Sequence, residues 1–288
     1  MKESKYTFEY YRYQLVPNKV VQLTIDTVPY TTDKLKEKKN EFFSLLLKSL
    51  VLKNNDRELK IYRPYSVDNV FILLVANNRQ VEYIKDLEEK HIESEPFSII
   101  IVDNNPKEQI IAIRNNRKAF SSADTLKNIL YKTMNDALSY YNLEMHVEPI
   151  SLENDFWAAI HDSGKDVYKI TYEIIKPNVT NISKALDEDI KNFIDKTNSH
   201  KTTLSIEAST NGQLTNINRN DKDLSGLTRY STDGAGRAVV KFTDKTSYDT
   251  RNHILKKIID VAIDMKNATK EQLKNLAEKV LDRPSNED

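Results

Sequence analysis

Residues 97–114 read FSIIIVDNNPKEQIIAIR, and this stretch sets the fold class. Two apolar, β-branched runs, 97–102 and 109–113, flank Asp103-Asn104-Asn105-Pro106, residue types that favour a turn. The connection is too short for a parallel crossover, so the runs predict an antiparallel hairpin. Outward from it, strands are expected at 59–65 and 70–75, joined by a turn over 64–69, and a short helix at about 80–90. Ser122 or Asp124 opens a helix to about Tyr141, with Leu126, Ile129, Leu130, Met134 and Leu138 as its buried stripe. A strand returns over 143–149. Upstream, 6–16 sets Tyr6, Phe8 and Tyr10 against Tyr11, Tyr13 and Leu15, which suits a strand covered on both faces. A second strand is expected at 20–25. Asp33 begins a helix to about Leu52, with Leu35, Phe42, Leu45, Leu46 and Leu50 near helical spacing; its exposed KLKEKK turn reads as a solvated face.

The second half repeats this mixture. DFWAAI predicts a short helix that buries the single tryptophan, followed by a strand over 166–175 and a helix over 182–196. Segments 202–207 and 213–217 read as a hairpin around Thr210-Asn211-Gly212, Asp221 starts a short helix, and 237–242 is a further strand. From Tyr248 to Leu281, Ile254, Ile258, Val261, Met265, Leu273, Leu276 and Val280 keep three-and-four spacing, with a new cap allowed near 267–269. Such a helical tail packs on its own domain or across a two-fold axis. The expected fold is α+β, with mostly antiparallel sheets in two subdomains, 1–150 and 165–245, and a C-terminal helical segment, 246–288, as a dimerisation element.

Composition narrows the function classes. With 43 Lys+Arg against 43 Asp+Glu the 288-residue chain has no net charge, so a nucleic-acid site has to be a local patch. The absence of cysteine removes disulfides, thiol nucleophiles and Cys-ligated metals. The start, MKESKYTFEYYRYQL, has no apolar leader, and FFSLLLKSLVL is interrupted by Lys48 and too short to span a bilayer. A soluble cytoplasmic protein is expected, in which the sequons at Asn178 and Asn181 receive no glycan.

Residues 231–240, STDGAGRAVV, are glycine-rich in a chain with only five glycines. A phosphate-cradling loop needs G-x-x-x-x-G-K-[ST], or G-x-G-x-x-G before a helix. Here Gly234-Ala235-Gly236 precedes a strand, so the loop reads as a helix-to-strand corner, with Arg229 and Arg237 leaving open a weaker anion site in which backbone amides and guanidinium groups bind one phosphate together. The five histidines, 91, 146, 161, 200 and 253, show no H-x-x-x-H or H-E-x-x-H spacing, and neither a metal nor a cofactor is expected. Glu58-Leu59-Lys60 carries the E-x-K pattern of a Mg²⁺-dependent nuclease strand, with Asp56 nearby and Asp26 or Asp33 upstream, and is the alternative catalytic reading.

The basic residues beside turns are the main lead. Arg114, Arg117 and Lys118 sit together in IRNNRKAF, with Asn115 and Asn116 as added donors and Phe120 beside them. Arg219, Lys222 and Arg229 flank the glycine-rich corner, and Arg237 leaves it. On one face, these residues would track phosphates.

The run FSIIIVDNNPKEQIIAIRNNRKAFSSADTLKNIL, then MHVEPI, DVYKITYEIIKPNVTNI, KTTLSIEASTNGQL and GAGRAVVKF, resembles the layout of the RexA-like phage-exclusion proteins over roughly residues 95–245. The resemblance implies a cytosolic, dimeric, DNA-binding sensor of phage infection that acts with a partner, a membrane protein in that family's case. It brings no enzyme residues, and the aromatic first strand has no counterpart in it. The leading expectation is therefore a non-enzymatic DNA-binding homodimer of anti-phage defence with an effector partner encoded nearby. A metal-dependent nuclease effector and a protein-interaction scaffold are the alternatives.

Overall fold

The computed structural model describes residues 4–18, 32–176, 184–197 and 199–284. The expected strand at 20–25 lies outside them, as does the start of the helix expected at 182–196. The fold is α+β with mostly antiparallel sheets.

Its organising element is the long aromatic strand β1 (Ser4–Pro17). Side chains alternate across a strand, and here they do so between two hydrophobic cores. Tyr11, Tyr13 and Leu15 enter one core, and Phe8 and Tyr10 the other. The helix α1 (Thr32–Ser49) follows, then the two-residue strands β2 (Lys53–Asn54) and β3 (Arg57–Glu58). Next come β4 (Lys60–Val67) and β5 (Val70–Ala76), joined by Asp68 and Asn69, both at positive φ as a tight hairpin turn requires. Pro64, expected in the turn, sits inside β4, where the register shifts between Tyr62 and Tyr65. An edge strand accommodates a proline at such a bulge.

The segment expected as a helix at 80–90 is instead a hairpin, β6 (Arg79–Lys85) with β7 (Glu88–Ser94). Asp86 and Leu87 turn it at positive φ. No apolar stripe at helical spacing opposes pairing there, and Val81, Ile84 and Ile92 remain exposed.

The hairpin around DNNP forms as expected: β8 (Phe97–Asp103) pairs antiparallel with β9 (Ile110–Arg114). Ile100, Val102, Ile111 and Ile113 face one core, and Ile99, Ile101, Ile110 and Ala112 the other. The helix α2 (Ala123–Leu138) is capped by Ser122, whose side chain accepts from the Thr125 amide, and it buries the expected stripe. On α1 the buried apolar residues are Leu35, Phe42, Phe43 and Leu47, while Leu45, expected in the stripe, is exposed. The strand β10 (Leu143–Pro149) completes this half.

The second lobe starts with α3 (Glu153–His161), which buries Trp157, and β11 (Val167–Ile175), followed by α4 (Glu188–Thr197) and β12 (Lys201–Glu207). Then come α5 (Lys222–Tyr230), capped by Asp221, β13 (Gly236–Phe242) and β14 (Ser247–Asp249). The sheet order is β12-β11-β13-β14, all antiparallel. Segment 213–217 is not a strand; β12 pairs with β11 instead.

The tail is corrected in its first half. Residues 248–261 do not form an α-helix: apart from a single 3₁₀ turn at Thr250–Asn252 the segment is extended, and β15 (Lys256–Val261) returns to the first sheet and pairs with β1 over Ser4–Glu9. The first sheet thus runs β10-β1-β9-β8-β5-β4, with β15 on the β1 edge beyond β10. The α-helix of the tail is α6 (Lys270–Leu281), opened by a Thr269–Gln272 capping box. Its Leu273, Leu276 and Val280 are buried against the first sheet, and the Tyr10 hydroxyl donates to the Val280 carbonyl at 2.7 Å. Of the apolar residues read as a dimer stripe, Val261, Leu273, Leu276 and Val280 therefore cover the chain's own core, while Ile258 is exposed.

Candidate functional site

The two lobes meet along a seam of charged and polar groups, built by alternation on two strands. Leu143 and Met145 of β10 enter the first core, so Glu144, His146 and Glu148 project from the other face. On β1, Arg12 projects on the face opposite Tyr11 and Tyr13. Its guanidinium is buried and donates to two main-chain carbonyls, Asp233 at 2.5 Å and Glu108. Burial pushes the Arg12 pKa down to about 10, which still leaves it charged at neutral pH.

The glycine-rich corner closes over this arginine. Gly234 has φ +80, and a Cβ on it would meet the Arg12 Cβ at 2.7 Å. The Ser151 amide donates to the Thr232 carbonyl at 2.8 Å, tying the same corner to the end of β10. STDGAG is thus the clasp between lobes.

Beside the clasp lies an ion-pair network. Arg251 grips Glu148 through two nitrogens, with Nε donating to Oε2 at 2.7 Å. Arg237 does the same to Asp249, donating from Nε to Oδ1 at 3.0 Å and from Nη2 to Oδ2 at 2.5 Å. The Glu173 carboxylate collects Lys201 at 2.6 Å, Arg237 at 3.5 Å and Arg251 at 3.8 Å. Burial raises the Asp249 pKa, but hydrogen bonds from Arg237 and the Arg251 amide outweigh it and hold the carboxyl below its ordinary value.

At the far end of the seam, Glu144 and His146 meet His200 of the second lobe. The Lys176 amide donates to the His200 carbonyl at 2.9 Å, which fixes His200 at the head of β12. His146 Nε2 lies 3.7 Å and His200 Nδ1 4.0 Å from the Glu144 carboxylate. Desolvation by burial lowers the His146 pKa and favours neutral imidazole.

The expected basic residues separate on this frame. Arg114 stacks its guanidinium 3.5 Å above the Tyr6 ring, and burial lowers its pKa. Arg219 donates to Asn154 at 2.7 Å and faces Glu153 at 3.6 Å, and Arg237 is held by Asp249 and Glu173. Arg229 is half-buried in the last turn of α5, and Lys222 is exposed in its first. Arg117 and Lys118 are exposed on the turn before α2. That turn is ordered by the asparagines expected as spare donors: Asn115 donates to Glu9 at 2.9 Å and Asn116 to the Phe97 carbonyl at 2.7 Å. Phe120 is buried in the first core. Glu58 faces Lys53 at 3.8 Å, and Lys60 binds Glu95 at 3.0 Å.

The seam residues Glu173, Asp249, Arg251 and His200 are not evident from sequence. Glu144-x-His146-x-Glu148 is the available signal, since period-2 spacing on a strand puts all three on one face. His200 carries no signal of its own. Searches of protein-family models and of curated proteins give no match to this chain. Among the described residues, no helix is long and apolar enough to cross a membrane.

Proposed function

We propose that this protein is a non-enzymatic, DNA-binding sensor of anti-phage defence, working in the cytoplasm as a homodimer with an effector partner, as its resemblance to the RexA-like proteins implies. The observation that carries the DNA-binding part is the turn 115–122. It presents exposed Arg117 and Lys118 on a backbone pinned by Asn115 and Asn116, directly before the Ser122-capped start of α2. Fixed cations beside a helix N-terminus suit phosphate-backbone contact, which is independent of sequence and sensitive to salt. The polar seam supports the sensing part: lobes joined by ion pairs and main-chain hydrogen bonds can exchange between two arrangements more readily than lobes joined by a shared apolar core. The nuclease alternative draws less support, because Glu58 and Lys60 are exposed and engage Lys53 and Glu95, not one another.

The test is fluorescence polarisation on duplex DNA across a salt series, paired with a Mg²⁺ cleavage assay. Salt-sensitive binding without cleavage is the expected result. Mg²⁺-dependent cleavage would favour the nuclease, and neither binding nor cleavage would favour a scaffold.

A further inference from the structure

The Glu144, His146 and His200 cluster plays no part in the DNA-binding proposal and stands independently of it. Its three potential ligand atoms lie within 4.8 Å of one another. Donors bound to one zinc ion at about 2.0–2.2 Å stand roughly 3–4 Å apart, so small side-chain rotations complete the set. The separations of 3.7 Å and 4.0 Å to Glu144 are too long for hydrogen bonds but suit ligands that share an ion. Two ring nitrogens, His146 Nε2 and His200 Nδ1, are buried without a hydrogen-bond partner. Buried polar atoms in native proteins nearly always have a partner, so two converging unpaired imidazole nitrogens beside a carboxylate point to a missing bonded group. Lys201, a cation close enough to act on His146, has its ammonium 2.6 Å from Glu173 and is engaged there.

We propose that Glu144, His146 and His200 form a site for a divalent transition-metal ion of the zinc class that bridges the two lobes. Two imidazoles and one carboxylate are borderline-to-hard donors that select zinc-like ions over Ca²⁺ or Mg²⁺. Three protein ligands leave a fourth position for water or for a donor from a partner. Because β10 belongs to the first sheet and His200 heads β12 of the second, the ion would staple the seam at the end opposite the Gly234 clasp. Metal occupancy would then set how firmly the lobes are joined.

The experiment uses the full chain stripped with EDTA and dialysed. Isothermal titration with ZnCl₂ is run on wild type, His146→Gln, His200→Gln and the control His91→Gln, whose histidine lies on the β6–β7 hairpin. Circular dichroism first establishes that each variant is folded. The expected result is one ion per chain, affinity reduced at least tenfold in His200→Gln and His146→Gln and unchanged in His91→Gln, and a Zn²⁺-induced rise in Tm present in wild type and lost in His200→Gln. Co²⁺ should add visible bands of a low-coordinate N/O site in wild type and His91→Gln, and not in His146→Gln or His200→Gln. Absence of binding, or binding that His200→Gln leaves intact, would overturn the proposal.

Discussion

Gly234 lies directly on Arg12: a Cβ on the glycine would come within 2.7 Å of the arginine Cβ and 3.2 Å of the Glu148 carbonyl. The preceding carbonyl, Asp233, accepts from the Arg12 guanidinium. Close approach and positive φ both require glycine here. Gly234→Ala should cost at least about 2 kcal/mol, from left-handed strain plus displacement of the clasp. Urea unfolding measures it, and a loss below about 0.5 kcal/mol would mean that the corner does not pack as described.

Asn104 supports the β8–β9 hairpin from within. Its Oδ1 accepts from Tyr13 at 2.7 Å and Asn40 at 2.8 Å, and its Nδ2 donates to the Asn40 carbonyl and the Ser44 hydroxyl, each at 2.7 Å. Asn104→Ala should cost roughly 2–3 kcal/mol, because it leaves several buried polar groups unpaired. An exposed turn asparagine would cost almost nothing, so equilibrium unfolding separates the two cases.

Asp249 ties Arg237 to the seam and gives the stability a defined pH dependence. Its folded pKa is depressed, so its contribution is fully present above the ordinary carboxylate value of about 3.9 and is lost as pH falls through the folded value. Asp249→Asn should therefore be less stable than wild type at pH 7, and the gap should close as pH falls below the ordinary carboxylate value. A gap that stays constant with pH would assign the loss to packing.

Leu276 tests where the C-terminal helix belongs. It is buried against the first sheet, so Leu276→Ala should lose about 2–5 kcal/mol. The loss should be the same at low and high protein concentration, because the helix packs within one chain. A concentration-dependent loss would return the helix to a dimer interface.

Much of the fold is legible in the sequence because its signals are local. The aromatic alternation of β1, the β8–β9 runs around DNNP and the α2 stripe each specify their own geometry. Residues 80–90 and 248–261 are not legible, because neither has a decisive pattern. The β6–β7 hairpin is charged on both sides of its Asp86-Leu87 turn, and Ile254, Ile258 and Val261 fit helical spacing by coincidence while β15 is recruited by the free edge of β1. The site is harder to read than the fold. Arg114 and Arg237 look alike as basic residues beside turns, yet one stacks on Tyr6 and the other pairs with Asp249, and those partners are distant in the chain or belong to another strand. His200 reaches His146 only through packing of one lobe on the other.

The DNA-binding proposal rests on Arg117 and Lys118 meeting the phosphate backbone. Comparing the salt dependence of duplex binding for wild type and Arg117→Glu/Lys118→Glu addresses it without intermediaries. Affinity should fall at every salt concentration, and the slope of log K against log salt should shrink by about 1–2, roughly one for each phosphate no longer neutralised. Unchanged affinity and slope in a folded double variant would rule the turn out as the DNA-binding surface.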